Sequence, residues 1–187
     1  MNPTLHFLRA QAFVLLVLGR KRAALARFDA ILVLAPDNRY AMASRAHLLA
    51  ESGNKPAAVM ALQTLLLCHP DDCAAWFNLG YLLDQTSRWE AAEHAFRQAI
   101  EFAPGMDRAW YGLGLVLIRQ RRFDEALPVL TRNTELQPMS PFGWYQLARV
   151  QIDRQQPDAA LKIIGHLKGF EPKVAAQLER ETGLTWS

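Results

Sequence analysis

The sequence predicts an all-α fold made of five antiparallel helix pairs, because four series of residues share one spacing of 34 positions. Five of the ten prolines form the first series: Pro36, Pro70, Pro104, Pro138 and Pro172. Alanines form the second: Ala24, Ala58, Ala92, Ala126 and Ala160. Small residues form the third: Ala12, Ala46, Gly80, Gly114 and Ala148. Large residues form the fourth: Leu8, Met42, Trp76, Trp110 and Trp144.

The third unit shows most clearly why these residue types recur. Trp76 and Leu79 are three positions apart, so they face the same side of a helix. Gly80 has no side chain and allows the partner helix to approach closely. On the returning helix, Ala92 is a second small contact, and Pro104 ends the helix because it lacks a backbone donor. Such a unit cannot bury its apolar face alone and predicts a stack of neighbours.

These residues at these offsets resemble the tetratricopeptide repeat (TPR) over roughly residues 5 to 172. The resemblance implies a right-handed superhelical solenoid forming one domain over residues 1–187, in which the first helices line a concave groove. Members of this family are scaffolds that bind other proteins, so the resemblance predicts protein binding without naming a partner. The predicted repeats span about residues 5–38, 39–72, 73–106, 107–140 and 141–174.

Composition and charge favour a folded protein of a reducing compartment. The chain is 51% hydrophobic and 21% charged, and its net charge of +3 is too small to indicate nucleic-acid binding by itself. The two cysteines argue against a disulfide scaffold. The apolar run from Ala12 to Gly19 is too short to span a bilayer, and its basic cluster follows it instead of preceding it. We therefore expect a cytoplasmic protein without direct membrane contact.

The sequence lacks the motifs that carry catalysis or bind metals. It has no glycine-rich phosphate loop, no HExxH and no GxSxG, so we expect no enzyme, no catalytic residue and no cofactor. Cys68 and Cys73 flank His69, but no further ligand has a standard spacing, and no metal site is predicted. Cys68 occupies the position held by Leu34 and Phe102 in other repeats, which indicates a small core thiol.

The first helix is apolar nearly all round, because Phe13, Leu16, Val17 and Leu18 leave little polar surface. Ordinary stacking does not require this excess in an outermost helix. Two interpretations stay open, namely close packing against the N-terminal residues and a surface for a partner or for a homodimer.

Later helices carry their own start signals. Ser140 followed by Pro141 is expected to cap the first helix of repeat five. Asp124 is expected to cap its helix, which would place Pro128 in or beside the first turn. Asn133 stands where repeat three has an alanine, and it needs hydrogen-bond partners if it is buried.

The C-terminal residues predict a cap. Residues 173–181 are polar, with Val174, Ala175 and Leu178 on one side, which predicts a capping helix over about residues 173–182. Residues 183–187 are expected to be loose.

The inward-facing positions of the first helices, counted by the repeat register, are rich in aromatic and basic side chains. Such residues are over-represented at binding hot spots. We expect the aromatic rings to form one strip, and Arg108 and Arg149 to orient an acidic group of the ligand. The predicted partner-binding residues are Phe13, Leu16, Tyr40, His47, Phe77, Tyr81, Arg108, Tyr111, Leu115, Phe142, Tyr145 and Arg149.

The function that the sequence favours is an adaptor or assembly factor that holds an extended or helical segment of another protein. The alternative is a dedicated chaperone for a secreted or membrane-associated substrate, although bacterial secretion chaperones with such repeats usually carry fewer of them. Nucleic-acid binding would depend on the basic turns at residues 20–22 and 119–122, which are more often solvated, so it is not expected. The carboxylate clamp of heat-shock co-chaperones is not reproduced in any register.

Overall fold

A computed structural model describes residues 3–186, in which eleven α-helices and no strand occur. The all-α prediction is confirmed. The helices are α1 (Pro3–Val17), α2 (Lys21–Leu34), α3 (Arg39–Glu51), α4 (Lys55–Cys68), α5 (Cys73–Asp84), α6 (Trp89–Phe102), α7 (Asp107–Arg119), α8 (Phe123–Leu136), α9 (Pro141–Asp153), α10 (Pro157–Lys168) and α11 (Pro172–Thr182). The first ten occur two to each predicted repeat, and α11 lies over the predicted capping segment.

The chain divides into two compact units, Met1–Leu82 and Leu83–Ser187. In the first unit, α1 packs on α2, α2 on α3, and α3 on α4. In the second unit the helices from α6 to α11 pack on one another in chain order, and α11 also contacts α9. Packing between sequence neighbours is the contact pattern of a helical repeat protein. Whether both units form one domain, as the sequence predicts, stays a prediction.

The recurring small residues lie where helices meet. All five alanines of the series that begins with Ala24 are 0% exposed. A Cβ atom added to Gly114 would approach the Leu130 side chain to 2.5 Å, so only glycine allows α7 and α8 to pack this closely. The core of the first unit includes Phe28 and Ile31 around Ala12.

The tryptophan and proline series share one period for a reason that the structure shows. Each indole Nε1 donates a hydrogen bond of 2.8 Å to the backbone oxygen of a proline six residues earlier. The bond ties the first helix of one repeat to the end of the preceding repeat. The three pairs are Trp76–Pro70, Trp110–Pro104 and Trp144–Pro138.

Each turn inside a helix pair contains one residue in the left-handed conformation, and these residues form a fifth series that the sequence did not indicate. They are Gly19, Gly53, Ser87, Arg121 and Gln155, again 34 positions apart. Their φ values run from 57° at Ser87 to 80° at Gly53. The amide that follows donates to a carbonyl five residues back, as Arg122 N does to Leu117 O at 2.9 Å, which closes the first helix.

One prediction about helix starts is wrong, and a second is met only in the position of the residue. Arg122, and not Asp124, occupies the N-cap position of α8, so Pro128 lies inside the helix. The Asp124 carboxylate instead accepts a hydrogen bond of 2.7 Å from Arg154 Nε. Ser140 stands at the N-cap of α9, but its side chain makes no capping hydrogen bond.

The prediction of a loose C-terminus is wrong for residues 183–186, while residue 187 lies outside the described part. The Trp186 amide donates to Glu179 Oε1 at 2.9 Å, and Lys168 Nζ donates to the Trp186 carbonyl at 2.7 Å. The Trp186 ring covers Gly165, where an added Cβ would come within 2.6 Å of it. A glycine on α10 thus makes room for the tail to pack back.

Candidate protein-binding surface

Two adjacent pockets of the second unit contain predicted binding residues. The first has a volume of about 410 Å³ and is lined by Asp107, Arg108, Tyr111, Asn133, Gln137, Ser140 and Phe142. The second has a volume of about 280 Å³ and is lined by Tyr111, Pro141, Phe142, Tyr145, Gln146, Val174 and Gln177. Both pockets share Tyr111 and Phe142, so α7, α9 and α11 present one continuous surface with aromatic walls.

The first pocket is shaped by a buried amide. Asn133 on α8 is buried, and its Nδ2 donates to the Asp107 carbonyl at 2.9 Å. The expectation that a buried Asn133 would need a hydrogen-bond partner is therefore met. Arg108, the next residue on α7, is exposed at this pocket and brings a positive charge beside the shared aromatic rings.

The second pocket ends at a carboxylate supplied by the chain itself. The Tyr145 hydroxyl donates to Glu181 Oε2 at 2.6 Å, and Arg149 Nη1 lies 3.0 Å from the same oxygen. Gln177 Nε2 donates to the other carboxylate oxygen at 2.8 Å. These bonds, with that of Tyr145 first, lower the pKa of Glu181 below its usual range. The carboxylate is therefore ionised at neutral pH.

Arg149 was expected to orient an acidic group of a ligand, but in this structure it is already paired with Glu181. Sequence reasoning treated α11 only as a cap and did not place Glu181 or Gln177 beside α9. The signal for them was weak, since each is one polar residue in a polar segment. Leu115, also a predicted site residue, lies half-buried one turn after Tyr111 on α7.

The first unit holds the other predicted residues. Phe13 is exposed on α1, whereas Leu16 is partly buried against the core. Tyr40 is exposed, with its ring edge-on to Phe28 at a centroid distance of 5.7 Å. His47 is exposed on α3.

The aromatic residues of α5 complete the set. Phe77 is half-buried and Tyr81 is exposed, and both belong to the first unit. Tyr111 and Tyr145 belong to the second unit. One aromatic strip along all four residues therefore stays a prediction.

Two of the basic residues at residues 119–122 have partners inside the second unit. Arg119 forms an ion pair with Asp84. Arg122 Nη1 lies 2.5 Å from Glu93 Oε2, and Arg122 Nε lies 2.7 Å from Glu125 Oε1. Burial raises the pKa of Glu93, but hydrogen bonds from Arg122 and Arg97 outweigh this effect and lower it. These two guanidinium groups therefore serve contacts between α5, α6 and the α7–α8 turn.

The cysteine segment differs from the expectation. Cys68 is exposed, so the prediction of a core thiol is wrong, and it forms no disulfide with Cys73. The Leu34 side chain in the equivalent position is also about half exposed, which explains the error. Across residues 3–186, no three histidine, cysteine or carboxylate side chains are grouped to hold a metal ion. None of the helices between residues 3 and 186 has the length and apolar character needed to cross a bilayer.

Fold and pockets together define a helical repeat protein with an aromatic surface. A family model described as tetratricopeptide repeat matches residues 7–72, 43–107 and 77–141. The chain belongs to the tetratricopeptide repeat family. Proteins of this family are in general scaffolds for protein interaction.

Solved structures show the same fold. A MamA protein is 17% identical with a TM-score of 0.84, over 99% of this chain and 98% of that one. MamA from Desulfovibrio magneticus RS-1, comprising residues 41 to the end, is 18% identical with a TM-score of 0.81, over 98% and 99%. YrrB, described as a TPR protein with an unusual peptide-binding site, is 19% identical with a TM-score of 0.81, over 95% and 91%. No curated protein matches the sequence.

Proposed function

We propose that this protein is an adaptor that holds a segment of another protein against α7, α9 and α11. The observation that carries the proposal is the pair of pockets that share Tyr111 and Phe142. Family membership supports the same conclusion, because TPR proteins in general bind protein partners.

The two pockets define the kind of segment that fits. Two large apolar side chains, spaced to enter neighbouring pockets, would pack on Tyr111 and Phe142 from either side. An acidic side chain next to the first of them would meet Arg108. The Tyr145 end is less suited to an acidic group, since Glu181 already places a negative charge there.

The proposed location is the cytoplasm. Both cysteines are free, and Cys68 is exposed, which suits a compartment that keeps thiols reduced.

A peptide selection tests the proposal, because it requires no identified partner. Random dodecapeptides displayed on phage are selected on the full chain, and binders are synthesised and measured by fluorescence anisotropy. Tyr111→Ala is expected to weaken binding by about 1 to 3 kcal/mol, as for a hot-spot residue, with little change in folding stability. Arg108→Glu should weaken acidic peptides in particular, since it places like charges together.

Met139→Ala is the matched control. Met139 is an exposed apolar residue of the loop before α9 and is outside the lining of both pockets. Binders that lose affinity equally in the control and in Tyr111→Ala, or no enriched peptide at all, would refute the proposed site.

A further inference from the structure

Helix α1 has two apolar faces on opposite sides, and residues 3–186 pack against only one of them. Leu5, Leu8, Leu15 and Leu16 surround Ala12 and pack against the core of the first unit. On the other side, Phe7 is 63% exposed, Val14 53%, Val17 71% and Leu18 61%. Ala10, in the middle of this second face, is exposed as well. We name this set, four residues of α1 and Leu18 directly after it, the outer face of α1.

The outer face occupies the positions through which later repeats stack. Val14 is equivalent to residues that are buried in every other repeat: Leu48, Leu82, Val116 and Val150. Phe7 is equivalent to small buried residues: Ala41, Ala75, Ala109 and Gly143. A phenylalanine in place of alanine or glycine would hold a stacked helix further away. The outer face is therefore built for a partner other than an ordinary preceding repeat.

Two further positions of the outer face carry apolar residues where the other repeats carry polar ones. Val17 is equivalent to polar or charged residues in all other repeats: Glu51, Gln85, Arg119 and Asp153. Leu18 is likewise equivalent to polar residues: Ser52, Thr86, Gln120 and Arg154. The first repeat thus exposes apolar side chains where the other four expose polar ones. Contiguous exposed apolar surface of this kind marks an interaction site.

We propose that the outer face of α1 is the interface of a two-fold dimer, in which α1 packs antiparallel on α1 of a second copy. A two-fold interface must be complementary to itself. With the axis near Ala10, the small side chains lie at the crossing and allow close approach, and each Phe7 faces Val14 of the second copy. The outer face contains no charged residue that this pairing would bury.

The exposed area agrees with a weak, reversible interface. Taking about 200 Å² for a phenylalanine and about 90 Å² for valine or leucine, the exposed parts of Phe7, the neighbouring Phe13, Val14, Val17 and Leu18 sum to roughly 400 Å² per copy. Two copies would bury roughly 800 Å² through these side chains alone, below the roughly 1,000 Å² of a stable interface, which corresponds to a weak, reversible pairing. Residues beside them, including Pro3 and Ala10, add to it. We therefore expect a dissociation constant of about micromolar order.

Sedimentation equilibrium of the full chain over a range from low to high micromolar concentration tests the proposal. The wild type should change from the mass of one chain to that of two. Val14→Lys should raise the dissociation constant more than about tenfold, because each dimer would bury two ammonium groups. Leu67→Lys is the matched control, since Leu67 is an apolar residue of α4 that is 85% exposed. Circular dichroism verifies that each variant keeps its helices.

Ala10→Leu separates specific pairing from nonspecific adhesion. A larger residue at the crossing should push the helices apart and weaken the dimer, whereas an unspecific apolar surface would associate more strongly. A wild type that stays monomeric, equal effects of Val14→Lys and Leu67→Lys, or a stronger dimer in Ala10→Leu would each overturn the proposal. A monomer that instead binds lipid vesicles or another chain through Val14 would assign the face to that occupant.

Discussion

Gly143→Ala should destabilise the wall of the first pocket, although alanine is the better helix former. A Cβ at Gly143 would lie far inside van der Waals contact of Asn133 Oδ1 and 3.3 Å from its Cγ. Asn133 cannot turn away freely, because its Nδ2 is bonded to the Asp107 carbonyl. Overpacking costs about 1 to 3 kcal/mol and loss of that bond about 1, against a helix-propensity gain of about 1. We expect a net loss of about 1 to 3 kcal/mol.

The double variant Asn133→Ala/Gly143→Ala should recover the loss. It recreates the pair that the preceding repeat carries at the same positions, Ala99 and Ala109, both of which are fully buried. The two substitutions should therefore be coupled by about 1 to 3 kcal/mol, as expected for residues in contact. Asn133→Ala alone should cost about 1 kcal/mol through the lost hydrogen bond.

Urea unfolding followed by circular dichroism measures all four proteins of this cycle. Gly143→Ala as stable as the wild type would show that α8 and α9 do not approach as closely as described. A double variant as unstable as Gly143→Ala would show that the clash involves a group other than Asn133.

Five further variants test the packing. Ala92→Leu should destabilise by about 1 to 3 kcal/mol in urea melts, because Ala92 is fully buried between helices; an unchanged midpoint would contradict this. Arg121→Gly should stabilise by up to about 1 kcal/mol, since glycine adopts positive φ without strain, while Gly53→Ala should lose a similar amount in the same melts. Because the pKa of Glu181 is lowered in the folded state, its ionised carboxylate stabilises the fold at pH values above the ordinary glutamate pKa of about 4.3. This stabilisation is lost as the pH falls through the folded-state pKa. In thermal melts at several acidic pH values, the melting temperature should therefore fall less steeply with decreasing pH in Glu181→Gln than in the wild type. Deletion of residues 173–187 should expose the side of α9 and α10 that α11 covers and promote aggregation, measured by light scattering; a soluble, equally stable protein would argue against a capping role.

Part of the candidate site was predictable because the repeat register orients side chains. Arg108, Tyr111, Phe142 and Tyr145 were predicted from their positions on first helices, and all four line the two pockets. The lining residues from outside the first helices were not predicted. Asn133 comes from a second helix and Gln177 from the cap, and no single-repeat pattern indicates which of their sides faces the pocket.

The outer face of α1 shows a similar division. The sequence indicated an excess of apolar residues around Phe13 and Val17, but Phe7 and Val14 were not singled out. They are exposed because no described helix packs on them, whereas the equivalent residues of the other repeats are buried. Burial depends on the helices that pack against a residue. Only the folded structure could therefore show that Val14 is exposed whereas the equivalent Leu48 is buried.

The sequence by itself determined the helix pairs, their period and their contact residues, because each is a local or strictly repeated consequence of residue type. Small residues permit close approach, prolines end helices, and a constant step places every unit alike. Tertiary structure decided what the carboxylates and arginines do. Glu181 reaches Tyr145 and Arg149 only because α11 packs along α9. Long polar side chains choose partners by distance in space, which the spacing along the chain does not encode.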